Sequence, residues 1–176
     1  DAVFAKSNGD GSWQVYVAIA DVAHYVRPGS AIDQEAYLRG TSVYFPTHAI
    51  PMLPENLSNN LCSLKPDVNR FTLTCEMLID STGWVQSYRI YESVIRSRAR
   101  LIYEDVAEFL DTGQTRTIRN KEILDNLIVM NEVAKALEEK RTERGAVNFN
   151  FAQQQIGLDD QNQMVGVSKR FRSSSM

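Results

Sequence analysis

With two cysteines and two histidines in 176 residues, the chain has little scope for disulfide or soft-metal chemistry. Cys62 and Cys75 stand thirteen residues apart with no CxxC pattern, so neither a zinc site nor a disulfide framework follows. Two free, buried thiols in a reducing compartment are expected instead. A glycine-rich phosphate loop, a Gly-x-Ser-x-Gly elbow and a His-Glu-x-x-His motif are all missing, and with them the usual marks of nucleotide, serine-hydrolase and zinc-protease sites. No apolar run reaches membrane-spanning length and the first residues show no signal-peptide pattern, so the reading is no membrane and a cytoplasmic location. A net charge of −3 argues against a globally basic nucleic-acid binder, though a local basic groove fits in an acidic body.

What is present is ordinary globular material: 43% apolar and 23% charged residues suffice for one domain with a real core. The start at Asp1-Ala2-Val3-Phe4 and the finish at Ser173-Ser174-Ser175-Met176 read as cuts at both ends of a piece of a larger protein.

Residues 2–6 and 13–20 are β-type runs separated by the turn cluster Ser7-Asn8-Gly9-Asp10-Gly11-Ser12. Asp21 ends the second run. Asp33 is placed to cap a short helix over residues 34–38, because its carboxylate can accept the free N–H groups of a first turn. From 71 to 79 the chain alternates, with Phe71, Leu73, Cys75, Met77 and Ile79 on one side and Thr72, Thr74 and Glu76 on the other. Asp80-Ser81-Thr82-Gly83 turns it into a second long strand from 84 to about 101. Helices are expected over 103–110 and 120–141, the latter with Ile123, Leu127, Met130, Ala134 and Leu137 at four-three spacing. Strands over 147–151, 154–158 and 164–168 follow. Hairpins with clustered helices predict an α+β fold with a mainly antiparallel sheet.

Residues 39–54 carry the most information. Pro46, Pro51 and Pro54 hold the segment extended, since proline fixes its own φ and steers its predecessor away from helix. Tyr44 on such a stiff wall can stack a base or sugar, though from residue type alone packing on its own domain is the more ordinary reading. Arg96, Arg98 and Arg100 alternate on the expected strand and would project as a row. Guanidinium groups spaced about 6–7 Å apart match successive phosphates of single-stranded nucleic acid, and a solvated or charge-protected sheet edge would look the same. Tyr103 and Phe149, each taken alone, are more readily core than ligand platform. Any metal must be a hard ion held by carboxylates, which points to magnesium.

Taken in order, Asp1-Ala2-Val3-Phe4, the run from Val17 to Val26, the stretch from Arg39 to Leu57, Leu61-Cys62-Ser63-Leu64, Ala99-Arg100-Leu101-Ile102-Tyr103 and the run from Glu143 to Phe149 resemble the RNB catalytic domain of the ribonuclease II and ribonuclease R family, the ribonuclease R branch most of all. The match extends over nearly the whole chain, so no single short motif bears it. The resemblance implies a magnesium-dependent hydrolase that shortens single-stranded RNA from its 3′ end and releases nucleoside 5′-monophosphates. It makes Asp1 a catalytic metal ligand, the last of a family cluster of four aspartates. It makes Tyr44 a ring packed on RNA that helps set the length of the end product. Phe149 then clamps the terminal bases, and Tyr103 favours RNA over DNA through the ribose. Cold-shock and S1-type domains of full-length members lie outside this chain. By itself the chain is expected to be close to inactive, because one carboxylate does not hold a catalytic magnesium pair. The rival reading is a non-catalytic RNA-binding or assembly module using the same groove.

Overall fold

The computed structural model describes residues 1–147 and 153–170. Strand β1 (Ala2–Ser7) pairs antiparallel with β2 (Trp13–Ala20) across a turn in which Gly9 and Gly11 both take positive φ. Helices α1 (Val22–Tyr25) and α2 (Ala31–Arg39) follow. A two-residue ladder of β3 (Val43–Tyr44) with β4 (Ala49–Ile50) then leads to a π-helical turn, Leu57–Leu61. Strands β5 (Asn69–Ile79) and β6 (Val85–Arg96) complete a four-stranded antiparallel sheet of order β1-β2-β5-β6. Helices α3 (Tyr103–Thr112) and α4 (Lys121–Glu143) come next, then a separate hairpin of β7 (Gln153–Leu158) with β8 (Met164–Arg170). The class is α+β with antiparallel sheets, as the hairpin pattern led one to expect. Phe149 and most of the expected strand over 147–151 lie outside the described residues. No helix among the described residues is long and apolar enough to cross a membrane.

Local chemistry explains most boundaries and corrects several expectations. Helix α2 begins earlier than expected: Ser30 caps it by accepting from the Asp33 N–H at 3.3 Å. Asp33 sits inside the first turn and accepts from the Gly29 N–H at 2.8 Å instead. Asn120 caps α4 through the Glu122 N–H at 2.9 Å, and α3 stops at Gly113, whose left-handed φ of 71° suits only a residue without Cβ strain.

Helix α4 lies on the β1 side of the sheet, where the Asn126 side-chain amide donates to the Ala5 carbonyl at 2.5 Å. Ala5, Val15, Ile79 and Val133 form the buried core, with Trp13, Val17, Met77, Val129 and Met130 around them. Each large apolar side chain closed off here contributes roughly 1.5–3 kcal/mol. The expected apolar stripe of α4 is off by one position in its second half. Val133 and Ala136 are buried, whereas Ala134 and Leu137 face out. The cause is the β5–β6 turn, whose Gly83 backbone presses on the helix at Ala136 and sets its rotation.

The two faces of β5 also depart from expectation. Helix α4 covers only the Ile79 end of its apolar face, so Phe71 and Leu73 stay substantially exposed. On the opposite face Thr72 and Thr74 are buried, and both hydroxyls share the Ser93 hydroxyl, at 2.8 and 2.6 Å. That network satisfies the polar groups, which makes their burial tolerable. Both cysteines are free, but half-buried rather than enclosed.

Candidate nucleic-acid interface

One end of the four-stranded sheet carries Asp1 and the segment that leads to Arg98. Ala2 pairs with Ala18, so Asp1 stands exposed opposite Ile19, just short of where β2 ends. Asp21 follows that end. Its N–H donates to the Phe71 carbonyl at 3.0 Å, and its buried carboxylate accepts from the His24 N–H at 3.1 Å, capping α1. The His24 ring stacks on Phe71 at 4.4 Å between centroids. His24 is thus a packing residue, in line with the sparse histidine content. His48, similarly, lies stacked on Phe45 at 4.9 Å.

At the same end Asn69 pairs with Arg96, the last rung between β5 and β6. Here the expected arginine row breaks. Asp67 takes a left-handed φ of 60° and turns the partner chain away, so residues beyond Arg96 have only the Pro66–Ser97 bridge and no strand to pair with. Arg96 lies 3.8 Å from Asp67 in an exposed ion pair, worth at most about 1 kcal/mol. Arg98 and Arg100 lie on the irregular segment that follows. Both are exposed, with no hydrogen bond or ion pair among the described residues. Arg70 is fully engaged: its Nε donates to the Ser63 carbonyl at 2.9 Å and its NH2 to Asn60 Oδ1 at 3.3 Å, tying the π-helical turn to β5.

Tyr44 sits on the β3–β4 ladder, 78% exposed, opposite Ala49. The proline-bearing segment is held by bonds from both sides. Arg39 NH1 donates to the Pro51 carbonyl at 2.9 Å, and the Met52 N–H donates to Ser42 Oγ at 2.9 Å. The ring is therefore presented by a braced loop rather than packed on its own domain. Tyr103 opens α3 with its ring half in solvent. Asp1, Tyr44 and Arg98 share no hydrogen bond, ion pair or ring contact. With β1 and β6 at opposite edges, Asp1 and Arg96 are separated by three strand spacings, about 14 Å across the sheet. An interface built from them must be spanned by a polymer rather than filled by a small molecule.

The electrostatics at this end are mild. Burial pushes the Cys62 thiol up, the Asp21 charge adds to the push, and Arg70 opposes it in part. The thiol stays protonated at neutral pH and is no nucleophile.

Against known proteins, the model of the RNB domain family matches residues 1–176. The chain belongs to the RNB domain family. It is 48% identical over 149 residues to ribonuclease R of Vibrio parahaemolyticus, covering 85% of this chain and 18% of that protein. Among solved structures, Mycoplasma genitalium RNase R in complex with ribose-methylated single-stranded RNA superposes with a TM-score of 0.92 at 30% identity, over 99% of this chain and 27% of that one. Yeast Ssd1, described as a pseudonuclease, superposes with a TM-score of 0.66 at 26% identity, over 80% of this chain and 16% of that one. The chain thus spans about a fifth of the curated relative's length.

The RNB assignment raises the question of a metal. Asp1 offers one hard oxygen ligand of the kind magnesium takes. Among the described residues, however, no three His, Cys, Asp or Glu side chains gather closely enough to hold an ion. These residues alone do not form a magnesium site. Sequence reasoning passed over Asp21 as a site-shaping residue. Its signal was an acidic residue at the end of a β-run directly before Val22-Ala23-His24-Tyr25, where a carboxylate caps the next turn.

Proposed function

We propose that this chain forms one wall of the RNA channel of a magnesium-dependent 3′-to-5′ exoribonuclease that hydrolyses single-stranded RNA to nucleoside 5′-monophosphates. The observation that carries the reading is the pairing of RNB family membership with a sheet end that exposes Asp1 and leaves Arg98 and Arg100 unpartnered. Asp1 supplies one carboxylate of the metal cluster, and the remaining ligands, with the cold-shock and S1-type domains, belong to a longer protein of which this chain is a partial catalytic domain. Tyr44 stacks on a base, which needs no base-edge readout and gives degradation without sequence preference. Tyr103 meets the ribose, Phe149 the terminal bases, and Arg98 a phosphate. The enzyme works in the cytoplasm.

The test compares this chain with the longer protein on labelled single-stranded RNA with magnesium. Mononucleotides are expected from the longer protein and essentially none from this chain. Substantial release by this chain alone would overturn the shared metal cluster. A second reading, a non-catalytic RNA-holding module, is favoured by the likeness to the pseudonuclease Ssd1. It predicts salt-dependent RNA binding without mononucleotide release by the longer protein.

A further inference from the structure

The opposite end of the sheet carries a recess that the channel reading leaves unused. Gly83 takes φ +76°, and its backbone runs so close to Ala136 that a Cβ would fall inside the van der Waals radius of the Ala136 carbonyl oxygen. This pins the β5–β6 turn to α4 and holds Trp84 beside the last turns of the helix. The indole is 58% exposed even so. A recess of about 230 Å³ opens there, lined by Gly83, Trp84, Val85, Leu137, Lys140 and Arg144.

We propose that this recess is a nucleotide-binding subsite, in which a base stacks on Trp84 and its phosphate meets Arg144. The wall is mostly apolar, with Leu137 and Val85 beside the indole, which suits the flat face of a base. Lys140 lies 5.7 Å from the indole centroid and 3.0 Å from a Glu143 carboxylate oxygen, so its charge is already shared. The Arg144 side chain has no partner among the described residues and supplies the open cation at the rim. The negative end of the helix dipole is met by Lys140 and Arg141 in the last turn. Stacking therefore provides most of the affinity, and a single nucleotide binds weakly. An acidic peptide would face Glu143 and bring no ring to the indole. From the level of Asp1, opposite Ile19 and hence near Leu73, six residues of β5 lead to Ile79 and the turn, about 20 Å along the sheet. A strand occupying both places must extend about three nucleotides or more between them. Only the choice of a nucleotide as ligand rests on the RNA-handling reading above; the recess does not.

Trp13 and Trp84 are the two tryptophans, so Trp13→Phe leaves Trp84 as the reporter. In that background, emission is followed while adenosine monophosphate, a short oligoadenylate, ribose 5-phosphate or inorganic phosphate is added. Saturable quenching by the two adenine ligands is expected, with none from ribose 5-phosphate or phosphate. Saturation by oligoadenylate alone supports a site for a unit of an RNA strand; saturation by the monophosphate as well supports a site open to free nucleotide. Arg144→Ala, on the surface and harmless to folding, is expected to raise the half-saturation concentration about tenfold at low salt. Linear, unsaturable quenching, or quenching untouched by Arg144→Ala, overturns the subsite. If RNA still binds in a Tyr44-dependent way while Trp84 stays silent, this proposal falls and the channel reading survives. If Trp84 responds while Tyr44→Ala leaves RNA affinity unchanged, the reverse holds.

Discussion

At the turn end of the sheet, α4 presses on the β5–β6 hairpin, Gly83 abuts Ala136, and Ala5, Val15, Ile79 and Val133 close a core. At the Asp1 end the same face is bare: Val3, Ile19, Leu73, Ile90 and Val94 remain substantially exposed, and two arginines stand without partners. Stability is concentrated where the helix lies, and the proposed channel residues Asp1 and Arg98 sit where it does not. A contiguous exposed apolar face of this kind marks a surface that meets another body. Residues on this bare face can therefore change at little cost to folding, whereas the core at Ile79 and the Gly83 contact with Ala136 cannot.

Substitutions that differ in place but not in kind break or sharpen this contrast. Ile79→Ala, at the centre of the core, is expected to lower unfolding free energy by about 2–5 kcal/mol in urea titration. Gly83→Ala adds a Cβ where φ is positive and the Ala136 carbonyl leaves no room, so a loss of about 2–4 kcal/mol is expected from the same titration. Thr72→Val strips one hydroxyl from the buried Thr72, Thr74 and Ser93 network and should lose about 1–2 kcal/mol.

A smaller effect at the turn end is read by pH. Asp80 accepts from the Thr82 hydroxyl at 2.6 Å, and from the Trp84 and Thr82 N–H groups at 3.1 and 2.9 Å; these bonds hold its carboxyl below the usual 3.8. The stabilisation is present above the unfolded value and is lost as pH falls through the lower folded one. The Tm of the wild type should therefore drop more steeply below about pH 4 than that of Asp80→Asn. At the opposite end, Ile90→Ser should stay within about 0.5 kcal/mol of wild type. A loss there as large as that of Ile79→Ala would erase the contrast.

Where sequence and structure agree or part follows from the range of the forces involved. The β1–β2 and β5–β6 hairpins were legible because Asn8-Gly9-Asp10-Gly11 and Asp80-Ser81-Thr82-Gly83 carry their turn chemistry locally. The ends of α4 and α3 are set just as locally, by Asn120 and Gly113. The rotation of α4 was not, because Gly83, distant in sequence, decides that Ala136 faces inward. Helical spacing could not tell which half of the β5 apolar face a helix would cover. The arginine row failed for a similar reason: β6 ends where Asp67 turns its partner away, a fact belonging to another strand. Asp1, Tyr44, Arg98 and Tyr103 all surfaced as candidates from residue type and family pattern, yet their mutual placement depends on the sheet order, which no spacing encodes.

The central claim is that Asp1 does metal chemistry at one end of this sheet while the aromatic wall holds the strand. Its most direct test is Asp1→Asn in the longer protein, with mononucleotide release and RNA affinity measured side by side in magnesium. Release is expected to fall at least a hundredfold, on the order of what losing one charge-stabilising group in an active site does, with affinity within a few-fold of wild type. Undiminished release by the variant would contradict the account.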